Sequence, residues 1–585
     1  LKILLIYPYC LDHRIQEDDI RVVPLGLYYI GALLKEHGYD IDIINFFEQD
    51  KTPDAIEALL KAKQPDVIGL SVLNANRWGA IDIARIAKNI NPSVHIVFGG
   101  VSATFLWKYF LTHHACIDYI VLGEGEYPFL NLIQALQSPS KEGSRERSLE
   151  ALETIPGLAF RKNGQIIRNS RQERITTLDQ LPNPARYFRY QHLSLSRGCP
   201  GNCTFCGSPQ FWNRQIYFHS ADYFVDQLTL LYQQGITFFF VSDDTFTLKK
   251  KRVIEICRKI LDKGLSITWV AISRVNLVDE EILCWMRMAG CIQISYGVES
   301  GSETIRKKLN KQIRTDQIKS AFDLTVRYGI LARAYFIYGC PDETWDTIQE
   351  TIDLMLAIKP LSVIFYILDI FPGTQLYDDY CRRFDLDDEI WHERIEDILY
   401  FETDAALSNE QVLAFGKKLR ETFHQQLPSF AKSIELVDNR EMASLHADFL
   451  SKLGMTFVHG DYAHIEAIPD KEKTAETLYR RALTCHPDHR AFWGLGMLLQ
   501  KQGRFQSSAQ ILKEGLIHYP DSQPLNMCRG ISLLNLGNFQ KAVNCFLIIQ
   551  HAPEALPYII HCYQALGQPE KARDFIRKMQ SMKAR

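Results

Sequence analysis

Over residues 1–137 short β-branched runs alternate with amphipathic stretches. Strand-like runs fall at residues 3–7, 41–44, 67–72, 95–98 and 119–122, and apolar positions recur at helical spacing over 25–36, 56–62 and 80–89. Alternation of this kind predicts an α/β unit built on a doubly wound parallel sheet. Ligands of such sheets sit at the carboxyl ends of the strands, where the turn chemistry gathers: Ser71, Gly99-Gly100 and Gly123-Glu124-Gly125-Glu126. A connector is expected over 138–191. It opens on a polar stretch, 138–147, and closes on Leu181-Pro182-Asn183-Pro184, where two prolines exclude a regular helix.

A second alternating series occupies 192–377, with strands expected at 193–196, 237–241, 267–271, 292–296, 334–338 and 363–368. Six strand-helix units predict a partial or full β/α barrel with its chemistry at the carboxyl ends of the strands. Residues 378–470 read as helical and aromatic, and Trp391 and Tyr400 suit a cavity wall or packing on the barrel equally well. From 471 to 585 the chain repeats itself. Gly496 recurs as Gly530, Gly503 as Gly537, Ala509 as Ala542 and Pro487 as Pro520, a period of 33 to 34 residues that predicts stacked helix hairpins and resembles the tetratricopeptide repeat.

A length of 585 residues is too great for one core. The 66 basic and 69 acidic residues nearly cancel, so no global field recruits nucleic acid. No run approaches the ~18 apolar residues of a membrane span, and the strand pattern at residues 2–6 is too short for a signal peptide core. Fourteen cysteines are scattered without the regular spacing of a disulfide framework, which points to a reducing cytoplasm. The run Lys249-Lys250-Lys251-Arg252 reads as a solvated turn, and Met286 and Met288 as core.

One cluster breaks that scatter. Cys199, Cys203 and Cys206 have C-x3-C-x2-C spacing just beyond the first barrel strand, with Gly198, Pro200 and Gly201 allowing tight wrapping. Three thiolates suit an iron–sulfur cluster with one iron left open. The rival is structural zinc with a fourth ligand such as His192 or His219.

With Phe205 before the third cysteine, the segment resembles the signature of the radical S-adenosylmethionine (SAM) enzymes. The resemblance implies a [4Fe-4S] cluster on Cys199, Cys203 and Cys206, with SAM chelating the open iron and yielding a 5′-deoxyadenosyl radical. It also implies SAM contacts at Phe205, at Asp243 and Asp244 in place of the usual Gly-Gly-Glu type motif, at Glu299 and Ser300 after the fourth strand, and at Gly339 after the fifth. Arg274 and Arg333 are candidates for the SAM carboxylate. An electron donor of the flavodoxin, ferredoxin or reductase type follows as a partner.

Residues 1–137 resemble the cobalamin-binding domain of one class in that superfamily. Ser71 and Leu73 match its Ser-x-Leu element, Gly99 and Gly100 its paired glycines, and Gly123 and Glu124 its last turn. Glycines after strands occur in other doubly wound sheets as well, but no G-x-G-x-x-G follows the first strand, which argues against a dinucleotide. The loop Tyr7-Pro8-Tyr9-Cys10-Leu11-Asp12-His13-Arg14 lacks the Asp-x-His-x-x-Gly spacing, so cobalamin is expected base-off without a histidine ligand.

The leading expectation is therefore a methyltransferase that acts on an unactivated carbon of a small molecule or peptide, through methylcobalamin and the 5′-deoxyadenosyl radical. An alternative with the same cofactors is a cyclase, oxidase or rearrangement enzyme, as in members resembling the anaerobic porphyrin-ester cyclase. A second alternative is a scaffold whose repeats bind a protein or carrier beside a non-catalytic barrel. No side chain is assigned as acid, base or nucleophile.

Overall fold

The computed structural model describes residues 1–11, 22–137 and 150–583. Both His13 and the polar stretch 138–147 lie outside the described residues. Five parallel strands form the first sheet: β1 (Lys2–Tyr7), β2 (Asp40–Asn45), β3 (Val67–Ser71), β4 (His95–Gly99) and β5 (Tyr119–Val121), in the order β2-β1-β3-β4-β5. Every residue of β1 except Lys2 is buried, as expected of a parallel strand covered on both faces. One face carries helices Leu25–Glu36 and Glu126–Gln137 and the other Pro53–Lys63 and Arg77–Ile90. Chain direction switches between β1 and β3, so a crevice opens at their carboxyl ends.

The connector adds β6 (Leu158–Lys162) and β7 (Gln165–Arg168), which extend this sheet antiparallel beyond β5. These short strands belong to the first sheet rather than to a free-standing linker.

The second sheet is the open barrel. Chain order gives β8 (His192–Leu193), a two-stranded antiparallel excursion of β9 (Ser196–Arg197) and β10 (Tyr217–Phe218), then β11 (Phe238–Val241), β12 (Thr268–Ser273), β13 (Cys291–Glu299), β14 (Leu331–Tyr338) and β15 (Ser362–Ile367). All pairs in the order β8-β11-β12-β13-β14-β15 are parallel. The strand expected over 193–196 stops at Leu193. Beyond it the Asp243 carboxylate accepts the Leu195 N–H at 2.9 Å and the Ser196 hydroxyl, and His219 N–H donates to Leu195 O, turning the chain out of the sheet.

Trp391 is fully buried against the first sheet's domain. Its ring takes the Arg77 guanidinium at 4.4 Å and its Nε1–H donates to Tyr377 Oη, while Tyr109 donates to its carbonyl. It clamps the domains together and does not line the large cavity. Helix Asn409–Lys432 lies across β14 and β15, where Gly416 lets the Tyr338 ring approach.

Three helix hairpins close the chain: His489–Lys501 with Phe505–His518, Gln523–Asn535 with Phe539–Ile548, and Leu556–Ala565 with Pro569–Lys583. A Cβ built on Gly496 falls 2.6 Å from Leu512 Cδ2, and one on Gly530 2.4 Å from Phe546 Cε1. The recurring glycines are thus where one helix admits a large side chain of its partner. The same device joins helices Ala443–Val458 and Lys471–Cys485, through Gly454 and Tyr479, so helix pairing begins ahead of residue 471. One continuous core runs from the barrel into these first helices.

Candidate active site between the two sheets

The three cysteines follow β9 on a loop whose conformation is forced by glycine. Gly198 has φ +97°, and a Cβ there would fall 2.2 Å from Gln215 O. Gly201 sits among the thiols: a built Cβ lies 3.4 Å from Cys199 Sγ, 3.9 Å from Cys203 Sγ and 3.0 Å from the Arg274 guanidinium. Its N–H donates to Cys199 Sγ at 3.4 Å. Burial pushes the Cys206 thiol up to about 12 and raises that of Cys203, where the nearby Lys311 and Arg274 charges oppose the shift. Among the described residues no three Cys, His, Asp or Glu groups converge closely enough to hold one metal ion. A cubane offers each thiolate a separate iron, and three neighbouring thiols with two cations beside them fit such an anionic cluster.

The SAM candidates divide by where the structure places them. Arg274 stands beside the thiols and donates to Lys311 O at 3.1 Å. Glu299, in the left-handed region at φ +66°, is buried and paired with Lys311 Nζ at 2.6 Å. Phe205 packs on Ile305, Leu309 and Cys340. Gly339 (φ +75°) donates its N–H to Glu343, whose carboxyl burial pushes up to about 7. Asp244 is exposed to the cavity. Its Oδ2 accepts the Ser208 hydroxyl at 2.6 Å, and burial raises its pKa. Asp243 and Ser300 point elsewhere. Both Asp243 oxygens are taken by the Leu195–Ser196 turn, and burial pushes its carboxyl up to about 7. Ser300 is wholly buried, its hydroxyl 3.2 Å from that of Thr351. Arg333 faces the barrel lumen. Lys311 escaped the sequence reading.

On the other side, Ser71, Leu73, Gly99, Gly100 and Gly123 all border the cavity. Gly100 (φ +95°) takes the Val72 backbone so closely that a Cβ would meet Val72 O at 2.9 Å. Glu124 also reaches the cavity edge, but its carboxylate is committed elsewhere. Oε1 accepts from Arg197 at 2.9 Å and Oε2 from the Ile175 N–H at 3.0 Å. Arg197 donates in addition to Glu126 Oε1 at 2.6 Å, and its guanidinium lies 5.0 Å from the Tyr29 ring. This buried clamp joins the last turn of the first sheet to the residue two places before Cys199. Sequence offered no signal for it, because its members lie about 70 positions apart.

A single cavity of about 920 Å³ runs between these halves. Its first wall holds Leu5, Leu70, Val97 and Val121 with the glycine turns, and its second holds the lumen side chains Phe240, Val270, Ile272, Ser295 and Tyr335. Glycine-lined apolar walls fit the narrow tail of a corrinoid, and the lumen leaves room for the reacting groups.

Comparison with known proteins agrees with this geometry. The B12 binding domain model matches residues 19–133 and the radical SAM superfamily model residues 193–355. An uncharacterized methyltransferase of Pyrococcus horikoshii is 34% identical over 367 residues, covering 61% of this chain and 78% of that protein. The anaerobic magnesium-protoporphyrin IX monomethyl ester cyclase of Rubrivivax gelatinosus is 27% identical, covering 61% and 66%. In fold the chain resembles the radical SAM methyltransferase TsrM of Kitasatospora setae, solved with cobalamin and a [4Fe-4S] cluster (TM-score 0.59, 15% identity, 82% of this chain and 99% of that one). With both domain models matched in chain order, and a relative of that identity spanned over most of its length, the chain belongs to the cobalamin-binding radical SAM enzymes.

Proposed function

We propose that this enzyme is a C-methyltransferase acting on an unactivated carbon. When bound, the [4Fe-4S] cluster, SAM and cobalamin supply reductive SAM cleavage and a transferable methyl group. The chain's own residues supply placement. Cys199, Cys203 and Cys206 hold the cluster, with Arg274 and the Lys311–Glu299 pair beside it for the charged end of SAM. Ser71, Gly99 and Gly100 form the cradle for the cobalamin tail, and Arg197 ties that cradle to the cluster loop. The observation that carries the reading is the cavity bordered by both halves, which reaches Gly198 beside Cys199 and would let a substrate carbon approach both cofactors. The likeness to a methyltransferase over 78% of its length supports it.

A second reading, ring closure or oxidation with the same cofactors, draws on the similarity to the cyclase. The two separate when reduced holoenzyme is given SAM with a deuterated methyl group and the corrinoid is extracted and weighed. Label on the corrinoid supports methyl transfer. Deoxyadenosine formed over an unlabelled corrinoid supports the second reading and sinks the first.

A further inference from the structure

Among the described residues two guanidinium groups border the cavity, and they differ in what they touch. Arg197 is bound by Glu124 and Glu126. Arg333, the third residue of β14, projects into the lumen. Its Nε donates to Ser362 Oγ at 3.0 Å, and among the described residues its terminal amino groups donate no hydrogen bond and no carboxylate lies within 4 Å. The Ser362 contact fixes the plane of the fork and leaves its two-pronged edge open. The fork is partly exposed to the cavity, and a planar guanidinium is matched by the two oxygens of a carboxylate, phosphate or sulfonate.

The walls around it describe the rest of a ligand. Ser295 and Ser362 are its register neighbours on β13 and β15, and Gln293 and Tyr335 also line the lumen. Phe240, Val270 and Ile272 make the facing wall apolar. The SAM carboxylate is not the anion that fits here. Of Arg274 and Arg333, Arg274 is the one that stands beside the thiols, so it is the partner we assign to the SAM carboxylate. Arg333 pairs through Ser295 with Ile272, two positions before Arg274 and two strands away, roughly 10 Å across the sheet.

We propose that Arg333 binds an anionic group of the substrate, a carboxylate or phosphate, whose apolar body lies against Phe240, Val270 and Ile272. The inference rests on reading the cavity as the chamber of methyl transfer. The substrate class is thus an apolar acid, and Arg333 is a specificity-determining residue for it.

Equilibrium dialysis of full-length holoenzyme tests this with two probes of similar apolar body, 8-anilinonaphthalene-1-sulfonate and the uncharged N-phenyl-1-naphthylamine. Arg333→Met is expected to weaken sulfonate binding about tenfold or more and to leave the neutral probe within about twofold. Competition by 1-naphthoate and by 1-naphthyl phosphate tells which anion is preferred, and displacement of the sulfonate by either supports the site. If Arg333→Met does not fold, Arg333→Lys carries the test, with sulfonate binding weakened and neutral binding kept. Equal loss of both probes, no loss of either, or a matching loss of SAM affinity would overturn the proposal. The deuterium experiment is independent of these outcomes: unlabelled corrinoid with charge-selective binding intact removes methyl transfer and leaves the anion site standing.

Discussion

The two parallel sheets are made from similar strands and put to opposite uses. In the first, β1 and β3 are buried along almost their whole length, because helices cover both faces. In the second, β12 and β14 alternate strictly. Ala332, Ala334, Phe336 and Tyr338 are buried against the outer helices, while the alternate residues are only partly buried, and of these Arg333 and Tyr335 line the cavity. A closed barrel fills its interior with layers of side chains, whereas here the interior is left as cavity. The first sheet therefore meets the cavity mainly at its strand ends and the second along the lumen face of its strands.

The largest effect expected on this contrast is at the cluster loop. Cys203→Ala is expected to reduce SAM cleavage to background and to lower bound iron and sulfide, measured after anaerobic reconstitution, while circular dichroism stays that of the wild type. Next is the clamp between the halves. Arg197→Met leaves the Glu124 and Glu126 carboxylates buried without their cation and is expected to cost about 3–5 kcal/mol in chemical denaturation, with Arg197→Lys recovering part.

The contrast itself is read most cleanly by two identical truncations. Ile68 lies fully buried in β3 and Ile272 faces the lumen from β12. Ile68→Ala is expected to cost about 2–5 kcal/mol and Ile272→Ala less than about 1 kcal/mol, because its removal enlarges a cavity already open. Equal costs would mean that the lumen is packed core.

A smaller effect follows from Asp243, whose carboxyl is held at about 7 in the fold against about 3.9 when unfolded. Below about pH 4 both states are protonated and its contribution is fully present. As pH rises toward 7 only the unfolded chain releases the proton, so stability falls across that window and levels off above it. Asp243→Asn, which keeps the neutral form, is expected to flatten the slope of melting temperature between pH 5 and pH 7. Smallest of all, Ile517→Ser at a 74% exposed position of the repeats is expected to stay within about 0.5 kcal/mol of wild type.

Much of this was legible in the sequence, where local pattern and structure coincide. The β-branched runs became strands of both sheets, the glycine repeat marked helix contacts, and the cysteine spacing placed the thiols on one loop. Features that depend on distant residues were not legible. Asp243 looked like a ligand contact because it ends a strand, yet its oxygens serve the turn at Leu195 and Ser196. Glu124 looked like a cobalamin contact because it follows the last turn, yet it is held by Arg197. Trp391 stood equally between wall and packing until Arg77 and Tyr377, over 300 and 14 positions away, closed around it. In each case the partner that holds the side chain is distant in the chain, so its contacts could not be read from its neighbours in sequence.

The central claim is that one cavity brings both cofactors to one substrate. A crystal of the holoenzyme measured at the cobalt and iron absorption edges tests it most directly. The account predicts an iron peak at the loop of Cys199, Cys203 and Cys206 and a cobalt peak within the cavity between the Ser71–Gly100 side and the lumen of Tyr335. Cobalt located outside that cavity, or a single zinc peak in place of iron, would contradict it.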